Sequence, residues 1–364
     1  MPSRKLYNNS VRRQKGNMLG RLRKRIDPYI VAMFAVVLLA TILPAQGRGA
    51  TVAGIAADAG IIFLFFLYGT RISPTAAWQG LRNGPLQISV LLSTYMMFPA
   101  LGFILVHLLP AGLPPALTTG VIFLCLLPST VQSSIAFTSI ARGNVPAALC
   151  AASVSSIVGV FLTPILAGWL LDTAGVKLSF GVLRDIVAQL LVPFLAGQLL
   201  RPWLQHWVQK HRTVLGLADR GSILLIIYVA FSKGMVDNIW QAIGISDLLV
   251  VGLVLTVLLG LALGITITMA RRILRLSRED EIVLLFCGSK KSLASGLPMA
   301  SVILPGPQLG LILLPLMLFH QLQLVVCALL AQRYAARPAP SPPVISPMQS
   351  EPGLEVQSRL SDAS

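Results

Sequence analysis

Charge is scarce in this chain, and negative charge scarcest. Asp, Glu, Lys and Arg make up 12% of its 364 residues, about half the roughly 25% of a soluble domain. That excludes an ordinary water-soluble globule. Thirteen acids stand against 29 Lys and Arg. Asp58 is the one candidate acid deep in apolar sequence, so the paired carboxylates of intramembrane aspartyl chemistry are missing. Only four histidines occur, and His320 is the only deep base for a serine nucleophile. No enzyme is expected. The four cysteines, Cys125, Cys150, Cys287 and Cys327, lie in apolar runs without CxxC spacing. They exclude a disulfide framework and a zinc site and read as small core residues. No metal or cofactor is expected. A basic domain is also missing. The net charge of +16 is spread over short loops, the pattern of topology determinants, so nucleic acid is not an expected partner.

Apolar runs dominate what remains, at 55% hydrophobic residues. Ten runs can bridge a hydrocarbon core about 30 Å thick. They are 28–43, 52–69, 86–109, 116–141, 145–171, 183–200, 215–232, 248–269, 282–303 and 309–331. With the N-terminus in the cytoplasm, 23 of the 29 basic residues fall on the inside. Arg48, Lys177, Arg184 and Lys233 fall outside, and Lys290 and Lys291 lie within a span. The split predicts an inner-membrane protein in the lipid bilayer with both termini cytoplasmic. Residues 1–27 form a basic leader. Ala45-Gln46-Gly47 resembles a cleavage site after an apolar run, but the long leader and regular topology favour an uncleaved first span. Residues 28–332 form the membrane domain. Residues 333–364, rich in Pro and Ser, read as a disordered cytoplasmic tail. Arg201–Arg220, with Trp203 and Trp207, reads as a cytoplasmic interfacial segment, and Arg271–Glu281 as a solvated loop.

Two spans are flawed in a matched way. The fourth carries Pro128, Ser129, Thr130, Gln132, Ser133 and Ser134. The ninth carries Gly288, Ser289, Lys290, Lys291, Ser292 and Pro298. A lysine at mid-bilayer costs about 2.5–3.5 kcal/mol on insertion scales, and Lys291 lies near the expected midplane. Proline removes an N–H and crowds the preceding turn, so the helix should break there. Ser129 or Thr130 could cap a new half-helix, and Ser289 or Ser292 another. Non-helical segments are expected over Pro128–Ser133 and Gly288–Lys291, close together. Five spans per half is an odd number, so a duplicated unit inserts with opposite orientation. The fold expectation is therefore an all-α polytopic membrane protein of ten transmembrane helices in two inverted five-helix repeats. Broken helices four and nine would cross near the midplane. Positive helix ends and a lysine favour an anion there.

The candidate binding residues are Ser129, Thr130, Gln132, Ser133, Ser134, Ser289, Lys290, Lys291 and Ser292. Asp58, Thr94, His320 and Gln321 are accessory candidates, with Gln323 beside them. Thr94 and Pro99 would mark a bend. Pro193 to Gln198 (PFLAGQ) would be a kink with close packing. Adjacent lysines lie about 100° apart on a helix, so one should face the centre while the other snorkels or pairs.

The run SSIAFTSIARGNVPAA, with its turn Ala141-Arg142-Gly143-Asn144-Val145, resembles the bile acid:sodium symporter superfamily. Ser295-Gly296-Leu297 and the LTP at Leu162–Pro164 add to the resemblance, which spans about residues 27–332. It implies a core domain of spans 3–5 and 8–10 against a panel of spans 1, 2, 6 and 7. Typical members hold sodium with a Ser-Asn pair in span four and a Glu and Gln in span nine. Here Ser134 stands at the serine of the pair, Ile135 or a shifted serine replaces its asparagine, and Ser289 stands at the glutamate and Leu293 at the glutamine. The chain is most similar to a divergent branch with a Lys-Ser motif in span nine. The resemblance implies a secondary transporter of a small organic anion by alternating access. A lysine ammonium would stand for the missing cation, and a buried lysine could exchange a proton. Transport would thus be lysine- and proton-based or uncoupled rather than sodium-coupled, and sodium coupling through rearranged ligands is the alternative. A non-transporting membrane regulator of ion homeostasis is the alternative from another class.

Overall fold

The computed structural model describes residues 28–71, 84–108, 113–173, 180–238, 241 and 243–336. The leader, Arg82, Lys177 and the tail beyond Ala336 lie outside the described residues. Among the described residues every regular element is helical.

Chain order gives α1 (Pro28–Ile42) and α2 (Gly47–Arg71). Next, α3 comprises Gly84–Leu92 and Phe98–His107, joined by a π turn at Ser93–Met97. Two short helices follow, α4 (Pro115–Leu126) and α5 (Gln132–Ile140), then the long α6 (Val145–Thr173). Helix α7 comprises Phe180–Ile186 and Val192–Lys210 around a π turn at Val187–Leu191. After α8 (Arg212–Val236) comes α9 (Ile245–Thr268), which ends in a π turn at Met269–Ile273. Short α10 (Arg278–Gly288) and α11 (Leu293–Ile303) precede α12 (Leu309–Ala335). Seven of these, α2, α3, α6, α7, α8, α9 and α12, are long and apolar enough to cross a membrane, and α1 and α4 are shorter apolar helices. Large apolar side chains such as Val31, Leu38, Trp169, Leu199 and Leu253 are exposed on them. Water would penalise such a surface and lipid does not. This is a polytopic membrane protein.

Several boundaries differ from the sequence reading. Helix α7 runs on to Lys210 and α8 starts at Arg212. The Trp203–Trp207 segment is therefore the end of a long helix, with both rings exposed. Helix α12 continues to Ala335, so Arg333 belongs to the helix and not to the tail. Arg271–Glu281 is no solvated loop. Glu279, Asp280 and Glu281 form the first turn of α10, where carboxylates favour the positive helix end. Glu281 is buried and takes Arg271 Nε at 3.0 Å and Nη2 at 2.7 Å. The Tyr334 hydroxyl donates to the same carboxylate, tying α12 to α9 and α10.

Helices α1, α2, α7 and α8 pack on one another, and α3–α6 with α9–α12 form the rest. Helices α2 and α7 meet backbone to backbone. A Cβ on Gly69 would lie 2.2 Å from Phe194 O, and one on Gly197 2.2 Å from Phe66 O. Small residues allow this approach in membranes. The expected bends exist as π turns. Pro99 and Pro193 each follow one by two residues. A wider turn spares the carbonyl four residues back from the proline ring.

Candidate functional site

The broken spans are present, with shifted limits. The first break runs over Leu127–Val131, so Gln132 and Ser133 already belong to α5. The second runs over Ser289–Ser292, so Gly288 is still helical. Both shifts come from where backbone donors find partners. Ser292 caps α11, its hydroxyl accepting from Ser295 N at 3.3 Å. The capping role expected of Ser129 or Thr130 is not seen. Val131 precedes α5 without a side-chain cap, and the Thr130 hydroxyl instead accepts from Ser133 Oγ at 2.9 Å. The breaks cross in direct contact. Ser292 N donates to Pro128 O at 2.9 Å, and Ser134 Oγ donates to Phe286 O at 2.9 Å. A Cβ on Gly296 would fall 2.4 Å from Leu127 Cδ1, so α11 packs closely on the Leu127 side chain of the first break.

Lys291 sits behind the crossing, fully buried. Its ammonium donates to Thr94 O at 2.7 Å, Cys125 O at 2.8 Å and Leu127 O at 2.8 Å. An ammonium has three donors, and all three are used. The carbonyls are available for a reason. Those of Cys125 and Leu127 lie where α4 stops, beyond the reach of helical N–H groups. That of Thr94 lies in the π turn of α3. The Phe98 ring covers the ammonium at 4.4 Å from its centroid, a favourable cation–π distance. The main chain of Lys291 is held by Gln323, which accepts from its N–H at 2.9 Å and donates to its C=O at 2.8 Å.

Lys290 is equally buried but differently held. Its ammonium donates once, to Ser133 Oγ at 3.1 Å, and lies over the rings of Phe137 at 4.6 Å and Phe286 at 5.9 Å. Neither lysine has a carboxylate partner among the described residues. Of the two expected fates of the second lysine, snorkelling or pairing, the structure shows pairing, with both side chains buried. The break turns the two side chains apart, and each finds its own shell at the crossing.

On the other side of the crossing lies a cavity of about 940 Å³. Thr130, Gln132 and Ser133 reach it from the start of α5, and Ser292 and Ser295 from the start of α11. Two helix N-termini therefore end on it, with N–H groups that no helical carbonyl uses. His320 of α12 lines it as well, and Phe65, Leu149, Val160 and Ile223 supply apolar wall. Towards the ends of α2 and α8 the lining includes Arg71, Arg212, Arg220 and Asp219. Arg71 pairs with Asp219 at 2.7 Å, and Arg220 lies over the Tyr29 ring at 5.3 Å. Three cations against one anion leave the lining positive. Tyr68 of α2, also in the lining, donates to Ala294 O at 3.1 Å and so bridges α2 to α11.

The candidates thus divide. Thr130, Gln132, Ser133, Ser292 and His320 line the cavity. Ser129, Ser134, Ser289, Lys290, Lys291 and Thr94 are buried behind it. Ser129 N donates to Ser155 Oγ at 3.1 Å, and Ser289 Oγ donates to Leu285 O. Asp58 is exposed on α2, away from the cavity, and Gln321 is half-buried outside it. Neither of these accessory candidates lines the cavity. Sequence reasoning overlooked Tyr68 and the rings of Tyr95 and Phe98, which nothing separates from other aromatic core residues. Arg71, Arg212 and Arg220 were legible only as topology charges. The Arg142–Asn144 turn does not reach the cavity. It docks on α10, with Asn144 Nδ2 donating to Asp280 Oδ1 at 3.0 Å and Asn144 N to Glu279 O at 3.3 Å. Arg142 has φ +61°, and a Cβ on Gly143 would lie 2.6 Å from Ile282 Cγ2.

A family model, the SBF-like CPA transporter family, matches residues 27–336. An uncharacterised protein of Pseudomonas aeruginosa is 50% identical over 85% of this chain and 93% of its own length. The Escherichia coli protein named "Putative symporter YfeH" is 43% identical over 86% of this chain and 94% of its own. Mouse "Sodium/bile acid cotransporter 7" is 24% identical over 73% of this chain and 79% of its own.

Proposed function

The chain belongs to the SBF-like CPA transporter family, and on that premise we propose a secondary transporter that carries a small organic anion by alternating access. The observation that carries this reading is the cavity. Its inner end meets two helix N-termini, its outer end has three arginines and one aspartate, and apolar wall lies between. Such a lining suits an anion with an apolar body.

The pairs α4–α5 and α10–α11 each count as one broken crossing. With α1 and the seven long helices this makes ten, and the breaks fall in the fourth and the ninth. That match supports two inverted five-helix repeats. Helices α3–α6 and α9–α12 would then be the core, and α1, α2, α7 and α8 the panel, with the cavity between them. The excess of basic residues supports a reading with both termini and the arginine end on the cytoplasmic side of a plasma membrane, in which this conformation faces inward. The Tyr68–Ala294 contact bridges core and panel and must break or slide as they move.

Coupling is proposed to run through the lysines and not through sodium. Among the described residues no acid stands at the crossing to balance a bound sodium ion. A second unit charge at 4 Å from an ammonium would meet about 4 kcal/mol of repulsion at an effective dielectric near 20. Lys290 is the lysine placed for proton exchange, because its single hydroxyl partner, Ser133, also lines the cavity. The name of the mouse relative favours the rival reading, sodium coupling. Purified protein in liposomes separates the two. Under imposed proton or sodium gradients, uptake of a panel of amphipathic organic anions should respond to pH and not to sodium. Uptake driven by sodium in the unmodified protein, and surviving Lys290→Ala and Lys291→Ala, would return it to sodium symport. No uptake of any anion under either gradient would overturn the transport reading.

A further inference from the structure

The Lys291 ammonium lies in a shell that does not need a lysine. Three main-chain oxygens converge on one point, each 2.7–2.8 Å from Nζ. Two come from the C-terminal end of α4, where the helix dipole is negative. The third comes from the π turn of α3. An aromatic face at 4.4 Å closes a fourth side. Rings of carbonyls replace the hydration shell of monovalent cations in channel filters. The other carbonyls near this helix end are engaged by the protein itself. Leu126 O accepts from Thr163 Oγ1 at 2.8 Å, and Pro128 O from Ser292 N at 2.9 Å. What is left over is a three-oxygen cage, and Lys291 fills it from a main chain that Gln323 clamps on both sides.

We propose that this cage is a monovalent-cation site permanently occupied by a tethered ammonium, and that it takes up a free ammonium-type cation once the tether is removed. The crossing of the two broken spans is then preloaded, and it assembles without any dissolved cation. Oxygen distances of 2.7–2.8 Å match N–H···O geometry, so ammonium and methylammonium are the cations expected. Charge that would have to be bound and released in each cycle is fixed in place. The proposal extends the sodium-independence of the proposed cycle, but it concerns how the crossing is held together. It can stand or fall without any substrate being known.

The test reads thermal stability of purified protein in detergent and not transport. Unmodified protein, Lys291→Ala and Lys290→Ala are melted in N-methyl-D-glucamine chloride, with ammonium, methylammonium, sodium or potassium replacing it at equal ionic strength. Lys291→Ala, purified with ammonium present, should lose stability on exchange into N-methyl-D-glucamine. It should regain about 2–4 °C for each 1 kcal/mol of ammonium binding, saturating with concentration. Unmodified protein and Lys290→Ala should melt at one temperature in all five salts. Lys291→Met, whose side chain fills the cage without a charge, should be unresponsive. A folded Lys291→Ala that ignores every cation would overturn the proposal. Should Lys291→Ala fail to fold, the unmodified protein still decides: a specific rise in melting temperature with any of the small cations would show that the tether does not occupy the crossing's cation site.

Discussion

Lys290 and Lys291 are neighbours of one residue type, both fully buried, and the protein uses them in opposite ways. Lys291 is saturated: three carbonyls take its three donors. Lys290 makes one hydrogen bond, to a cavity-lining hydroxyl, and otherwise faces two phenyl rings. The saturated lysine holds two broken spans and a π turn together, so moving it means disrupting the crossing. The other is held loosely enough to change partner or protonation without that cost. On the proposed reading, buried charge has two meanings here, scaffold and working part, and hydrogen-bond saturation is what separates them.

The largest effect should come from stripping the scaffold. Lys291→Met leaves three buried carbonyls unpaired, at about 1–3 kcal/mol for each. We expect a loss of at least about 3 kcal/mol, read as a melting temperature lower by roughly 6–12 °C. An equal fall in Lys290→Met would erase the distinction. Next comes the placement of α4, which supplies two of the carbonyls. A Cβ on Gly120 would lie 2.4 Å from Ile312 O, so Gly120→Ala must part α4 from α12, at about 1–3 kcal/mol. Its effect should be less than additive with Lys291→Met in a double-mutant cycle, since both loosen the same cage. Full additivity would mean that the cage does not depend on that approach.

Smaller stability effects should accompany larger functional ones at the other lysine. Lys290→Met should keep the melting temperature within about 1 kcal/mol of stability, because it forfeits one hydrogen bond. In liposomes its uptake should fall at least tenfold and lose its response to pH. Ser133→Ala should weaken uptake in the same direction, and the double variant should be no worse than Lys290→Met alone. Independent losses would place the two residues on separate paths. The smallest effect is expected far from both. Tyr334→Phe removes the hydroxyl contact to Glu281, costs about 1 kcal/mol and leaves uptake unchanged. A transport defect there would show that the α9–α10–α12 cluster moves with the cycle.

Much of this architecture is written in local chemistry. Long apolar runs separated by short polar loops specify helices, because a backbone in lipid must satisfy its hydrogen bonds within each span. Pro128 together with the polar run after it announces the first break; proline alone does not, since Pro164 and Pro298 stay inside helices. The polar run Gly288–Ser292 announces the second. What sequence could not show was where each break ends, because that depends on which donors find partners across the crossing. Val131 and not Ser129 precedes α5, while Ser292 alone caps α11. Nor could it separate the two lysines. Helical spacing implied that only one would reach the centre, but the chain is not helical at Lys290 and Lys291, so the spacing of about 100° does not apply.

By itself, then, the amino-acid sequence determined a polytopic helical protein with two interrupted spans and an unusual pair of buried cations. Those features follow from composition and neighbouring residues. Only the tertiary structure decided what the cations do. The Thr94, Cys125 and Leu127 carbonyls lie at least 164 positions from Lys291 in the chain, and Ser133 lies 157 from Lys290. The carbonyls belong to the main chain, which every residue shares, so no residue type advertises them. They converge on the Lys291 ammonium only because a π turn and a helix end meet at one point.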